Sequence, residues 1–234
     1  LVAALGRGVR GLRVGIDEHE WAGAPGAAAA VAQEALGALE REGAELVPVR
    51  VPLAARAPAV TYVTLGVETL AGMREAYTLH LRELGADLQL VLLAIAELGG
   101  AEFLEAQRIR ATLRQEVAAA LAAVDVLALP TTARAAPPVT DLEAARGFAD
   151  PVALDALCRY SGLANLTGLP AGTAPVGVDE AGLPLGLQIV GDAWDEACVL
   201  AVLGHLERTG AARVRRATVA VDPFAPPAAS LPPP

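Results

Sequence analysis

The chain has 234 residues; 54% are hydrophobic, only 3% are aromatic, and the net charge is −9, with 18 arginines and no lysine. That apolar content excludes intrinsic disorder for the body of the chain, and an acidic, aromatic-poor balance argues against a nucleic-acid partner, which would need basic residues for phosphates and rings for bases. No apolar run reaches the roughly 18 residues of a membrane helix; the nearest, residues 90–96, is flanked by Gln89 and Glu97, so no membrane partner is expected.

Arg7, Arg10 and Arg13 interrupt the apolar residues at the N-terminus, which does not fit a secretory leader. Residues 12–16 (LRVGI) then read as a short buried strand. Gly23, Pro25 and Gly26 form a loop. Residues 27–42 carry apolar side chains at Ala28, Val31, Ala32, Ala35 and Leu39, which is helical spacing. Gly43 stands where a helix wants a left-handed C-terminal residue. Residues 45–51 (ELVPVRV) predict a second strand, with Pro48 marking an edge or a bulge. Strand, helix, strand with short turns is a βαβ unit, so these two strands should be parallel.

Residues 57–123 lack a strand signal and read as several helices, clearest over 102–123. A buried strand follows at 126–129, stopped by Pro130, and a short helix at 151–160. Residues 173–178 and 185–190 predict two strands joined through Asp179, Glu180, Ala181 and Gly182, a hairpin loop of about four residues. Asp192 or Asp195 can cap a last helix that runs to Thr209 and ends at Gly210. From Pro223 the sequence FAPPAASLPPP is too proline-rich to bury a core. Residues 216–234 are therefore expected to form a disordered tail behind a single unit at 1–215.

The polar inventory is sparse. Cys158 and Cys198 are isolated thiols in apolar segments, which fits buried reduced cysteines and a cytoplasmic compartment. His19, His80 and His205 show no second ligand at metal spacing, so no metal and no cofactor are expected. Gly6 and Gly8 precede the first strand, the wrong order for a dinucleotide loop. Ser161 and Ser230 are the two serines, 69 positions apart, and no nucleophile elbow surrounds Ser161. Thr131 and Thr132 follow a strand end, where sites often lie in α/β sheets, so Thr131 is a candidate substrate contact.

Residues 165–191 (NLTGLPAGTAPVGVDEAGLPLGLQIVG) and 124–138 (VDVLALPTTARAAPP) carry the most specific pattern. They resemble the C-terminal motifs of the amidase-signature family: an N-x-x-G-x-P-A run, then G-L-P-x-G-L-Q, preceded by D-x-L-x-x-P-T. The resemblance covers roughly residues 10–209. It implies an α/β fold, a partial amidase-signature domain with a mixed central sheet covered by helices. It also implies a parent reaction, hydrolysis of an amide C–N bond through an acyl-enzyme, without metal. In that family a Gly/Ser-rich loop, a bridging Ser and a Lys do the chemistry, and all lie N-terminal to the matched segment. Together with Leu1 in place of Met, this leads us to expect a fragment or one half of a split enzyme, with no catalytic residue of its own.

By the same resemblance, Asn165, Gly168 and Gln188 support the site. Asn165 would hold a loop through side-chain hydrogen bonds. Gln188, mid-strand among apolar neighbours, must find partners. The Gly and Pro residues of the motif could equally just shape strands and turns. Arg110 in AQRIRATLRQ resembles an Arg-bearing helix that contacts substrate, although an exposed helical Arg reads equally well. Where the glutamine-specific amidotransferase subunits place an Asp, this chain has Cys158, which favours a general amidase parent. The expected partners are a small carboxamide and an N-terminal amidase half. An unrelated α/β ligand-binding domain is the remaining alternative.

Overall fold

The computed structural model describes residues 1–24, 26–147 and 150–213. The expected tail at 216–234 lies outside the described residues. A five-stranded sheet in the order β2-β1-β3-β5-β4 organises the chain. It contains β1 (Arg13–Ile16), β2 (Glu45–Pro48), β3 (Val126–Pro130), β4 (Ala171–Val178) and β5 (Pro184–Gly191). The first three strands are mutually parallel, and β5 runs antiparallel to both β3 and β4. The sheet is therefore mixed, as expected.

Burial explains the strand order. All five residues of β3 (VLALP) are buried, as a central strand covered on both faces requires. β2 ends in Pro48 and lies at the sheet edge, where a missing N–H is tolerated. β3 runs one residue further than expected, with Pro130 opposite Leu187.

Two connections wind the parallel strands. From β1 the chain passes through α1 (Glu18–Ala22) and α2 (Gly26–Arg41) to β2. It then returns through α3 (Ala57–Gly72), α4 (Arg74–Leu79), α5 (Ala86–Ala96) and α6 (Gly100–Leu121) to β3 on the other side of β1. α2 buries Ala28, Ala32, Ala35, Leu36 and Leu39 against one face, with Val14, Val126, Leu187 and Ile189. On the opposite face α3 and α6 bury Val60, Leu113 and Val117 with Leu127, Leu129 and Val190. Crossovers of one hand that move across the sheet in opposite directions, out from β1 to β2 and back from β2 past β1 to β3, cover opposite faces.

After β3 come α7 (Asp141–Arg146), α8 (Pro151–Cys158) and α9 (Ser161–Thr167), then the β4–β5 hairpin and α10 (Glu196–Arg208). In the hairpin Asp179 Oδ1 accepts from the Ala181 and Leu183 N–H groups at 3.0 and 2.8 Å, closing the turn read from the sequence. α10 is capped by Asp195, whose carboxylate accepts from Cys198 N–H at 3.0 Å. The sequence reading missed α1, α7 and α9. All are short: five, six and seven residues are too few to display helical periodicity. No helix among the described residues is long and apolar enough to cross a membrane.

Candidate functional site

The residues singled out by sequence gather on one face of the sheet, around α9. Strands β3, β4 and β5 put Leu129, Thr173 and Gln188 in register across the sheet. Gln188 is 7% exposed, and its Nε2 donates to the Tyr160 carbonyl at 3.2 Å, just ahead of α9. This is the partner its apolar surroundings demand, because an unpaired buried amide is costly. From the other side Arg110, on α6, donates its Nε to the Leu166 carbonyl at 2.8 Å. Its Nη1 reaches Gln107 Oε1 at 3.4 Å, and Gln107 Nε2 donates to Thr64 Oγ1 at 2.9 Å. One helical strip thus connects α3, α6 and α9. Arg110 is half-buried and committed to backbone, where the sequence left it as either a substrate contact or a surface residue.

α9 ends on Gly168, whose φ of 74° is left-handed and whose N–H closes the helix on the Ala164 carbonyl at 2.9 Å. A side chain there would be strained, so the glycine has a backbone reason. Asn165 is placed differently from the expectation. It sits within α9 with its side chain exposed, and it makes no side-chain hydrogen bond among the described residues. The helix and its αL cap, rather than an Asn-held loop, lead into β4.

Thr131 stands just past the buried end of β3. Its N–H donates to the Gly186 carbonyl at 2.9 Å, and its Oγ1 lies 3.3 Å from Thr173 Oγ1. A Cβ on Gly186 would fall 2.6 Å from Thr131 Oγ1, so glycine lets the two threonines meet. Thr132 is turned to its own loop, donating to the Arg134 carbonyl at 2.7 Å. The structure therefore brings Arg110, Gln188 and Gly168 to α9, leaves Asn165 on its open side, and sets Thr131 at the neighbouring strand end.

A second polar group escaped sequence reasoning. Asp17, 5% exposed, caps α1 through His19 N–H at 3.1 Å. It also accepts from Val51 N–H at 2.7 Å and Arg50 Nη1 at 3.1 Å. Glu20, equally buried, pairs with Arg159 Nη2 at 3.8 Å, and Tyr160 O–H reaches the Glu20 carbonyl at 3.5 Å. Burial holds the Glu20 carboxyl above its ordinary pKa; Arg159 works against this and Asp17 adds to it. The sequence signal was two acids just after a strand, which composition alone could not distinguish from a solvated helix start. These groups edge a cavity of about 20 Å³. That is room for about one water, far below the roughly 300 Å³ of a small-molecule site.

A raised folded pKa means that ionised Glu20 costs stability at neutral pH. This cost is relieved as pH falls through the folded pKa, and no further gain comes below the unfolded value near 4.5. We therefore expect the native chain, relative to Glu20→Gln, to gain stability in urea titrations as pH falls from 7 toward 4.5. A constant difference from pH 7 down to pH 4.5 would refute the assignment.

Among the described residues, neither Ser161 nor Cys198 is activated as a nucleophile. Ser161 Oγ donates to the Cys158 carbonyl at 2.9 Å. Burial, with Asp195 and Asp125 adding to it, pushes the Cys198 thiol up to about 11, leaving it protonated at neutral pH. Among the described residues no three His, Cys, Asp or Glu side chains cluster as a metal site. Open clefts of about 400 to 510 Å³ exist elsewhere on the surface, and none is lined by Arg110, Thr131, Asn165, Gly168 or Gln188.

If α9 is held by these tethers, Arg110→Ala should cost about 1.5–3 kcal/mol, the range for a hydrogen bond from a charged group. Amide exchange should quicken in α9 but not in α10. Unchanged exchange at Leu166 and Thr167 would count against the tether.

The family model described as Amidase matches residues 3–200. A glutamyl-tRNA(Gln) amidotransferase subunit of Myxococcus xanthus (strain DK1622) is 32% identical over 231 residues, covering 88% of this chain and 46% of that protein. A fatty acid amide hydrolase of Oryza sativa subsp. indica is 34% identical over 146 residues, 62% of this chain and 24% of its own length. Among solved structures, one from a vestigial protein complex bearing on the origins of an s-triazine catabolic enzyme superposes with a TM-score of 0.79. It is 25% identical and covers 92% of this chain and 47% of that one. The corresponding glutamyl-tRNA(Gln) amidotransferase subunit of Thermotoga maritima superposes at 0.68 with 23% identity, over 86% of this chain and 43% of that one, a likeness of fold. The chain spans about half the length of the amidotransferase relative it matches.

Proposed function

This chain belongs to the amidase family, and from that premise we propose that it forms the C-terminal portion of an amide C–N hydrolase fold, catalytically silent by itself. The family match removes the reading as an unrelated ligand-binding domain. In the proposed role α9, Thr131 and the ends of β4 and β5 supply floor and wall for a small carboxamide. Arg110, Gln188 and Gly168 hold that floor in place, and Asn165 faces the open side.

One observation carries the silent reading. The chain has no lysine and only two serines, while amide hydrolysis needs an activated nucleophile and a proton shuttle. Ser161 is hydrogen-bonded to a backbone carbonyl instead of a base. Losing one member of a catalytic triad in serine hydrolases costs orders of magnitude in rate. The purified chain should therefore show no turnover on simple aliphatic and aryl amides. Hydrolysis well beyond one equivalent, abolished by Ser161→Ala, would overturn the proposal.

A complementing role is the second reading, favoured by the half-length match to the amidotransferase and by α5. That helix (ADLQLVLLAIA) is apolar nearly all round yet buries only Leu92, leaving Leu90, Val91 and Leu93 exposed. A polypeptide carrying Gly/Ser-rich and Lys segments would restore chemistry on co-expression. Residues 1–215 acting as one unit and a cytoplasmic site, suggested by two unpaired thiols, belong to the same proposal. The substrate remains a carboxamide in general: Cys158, half-buried at the end of α8, offers no carboxylate for a glutamine ammonium group.

A further inference from the structure

Trp194 is 93% exposed and has a φ of +67°, left-handed backbone that L side chains disfavour; no other non-glycine among the described residues has a positive φ. The loop is closely held. Asp192 Oδ1 accepts from Ala193 N–H at 2.7 Å, Asp195 N–H donates to the Asp192 carbonyl at 3.0 Å, and Asp195 Oδ1 accepts from Cys198 N–H at 3.0 Å. The other tryptophan behaves conventionally: Trp21 is 6% exposed and donates Nε1–H to the Ala128 carbonyl at 2.9 Å. The fold gains no burial from the Trp194 indole and holds it in a disfavoured conformation. A wet, rigidly presented tryptophan has the makings of an interface anchor.

We propose that Trp194 anchors a protein partner that offers an apolar helix face rimmed by Arg or Lys. The charge of the loop sets that rim. Asp192, Asp195 and Glu196 are all exposed around the indole, and none is in an ion pair among the described residues. The cleft that Asp192 and Asp195 line also holds Arg7 and Arg13; Arg13 pairs with Asp125 at 3.3 Å, which leaves the loop's three acids facing a single arginine, Arg7. A second copy is a competing occupant, because this chain's own cleft of about 510 Å³ carries Arg41 and Arg213 beside Ala35, Val176 and Val178, although Glu34 and Glu42 offset that charge. Its apolar cleft of about 480 Å³, beside Trp21, Leu36 and Leu46, is edged by Glu18 and Glu40 and would repel the loop. Self-association of the chain in sedimentation that is lost in Trp194→Ala would overturn the proposal. The inference concerns a surface and stands apart from the amide reading.

The test titrates the full chain with a leucine-faced amphipathic peptide rimmed with arginine, and with its glutamate-rimmed counterpart, following tryptophan emission. The arginine peptide should shift emission to the blue and bind at least about tenfold more tightly than the glutamate one. Trp194→Ala, titrated by calorimetry because it lacks the emitting indole, should weaken that binding by at least about tenfold. Equal binding by the two peptides or by the variant, or no binding, overturns the proposal. Trp194→Gly, which relieves the backbone, should melt at the same or a higher temperature. A lower melting temperature means that the indole serves the fold and also overturns it.

Discussion

Tyr160→Ala should destabilise the chain by about 3–5 kcal/mol, the range for deleting a buried aromatic ring. The ring is 2% exposed, in the core cluster formed with Val51, Leu127, Leu129 and Leu163. Arg159 lies over its face, 5.4 Å from the ring centre. The deletion therefore loosens α9 at its first turn while the Gln188 tether to the Tyr160 carbonyl remains. Tyr160→Phe keeps the ring and loses only a long hydrogen bond of 3.5 Å, so it should cost no more than about 1 kcal/mol. Chemical unfolding followed by circular dichroism separates the two. A loss under about 1 kcal/mol for the alanine variant would mean that the ring does not hold α9.

Asp17→Ala should cost about 2–4 kcal/mol. Two losses add: the N-cap of α1, worth about 1 kcal/mol, and the partner of the Val51 N–H, a buried donor whose orphaning costs about 1–3 kcal/mol. The Arg50 pair contributes little, because that side chain is 49% exposed and screened by water. Arg50→Ala should accordingly stay within about 0.5 kcal/mol of the native chain. Asp17→Asn should fall between, since one amide oxygen can serve only part of the three-donor set. Exchange at the Val51 amide gives a site-specific readout. If that amide is as protected in Asp17→Ala as in the native chain, the carboxylate is not its partner.

Both sites join residues far apart in the chain, and this separates what the sequence disclosed from what it hid. The strands at 12–16 and 45–51, the long helices and the 173–190 hairpin were legible because hydrophobic period and turn chemistry are local. Short apolar runs marked the strands, 3.6-residue spacing marked α2, and Asp179 with Gly182 marked the turn. Gly43 and Gly210 take the positive φ expected at helix ends, 96° and 74°. The family motifs, too, sit in two continuous segments. Short helices were the blind spot: α9 buries Leu163, Ala164, Leu166 and Thr167 within seven residues, too dense and brief a pattern to show a face. Reading Asn165 as a loop residue followed from that.

What the sequence by itself determined is the class of fold, the parallel βαβ start, the hairpin, the family motifs and the lack of lysine. These depend on residue identity and near-neighbour spacing alone. Only the tertiary structure decided that Arg110 donates to a backbone 56 positions away, that Gln188 reaches Tyr160 across 28, and that Asp17 satisfies Val51 across 34. It likewise decided that Trp194 stands in water while Trp21 is buried. A polar side chain in a sequence shows only that it will need a partner. Which partner it finds depends on how the sheet and its covering helices pack, and no local pattern encodes that distance.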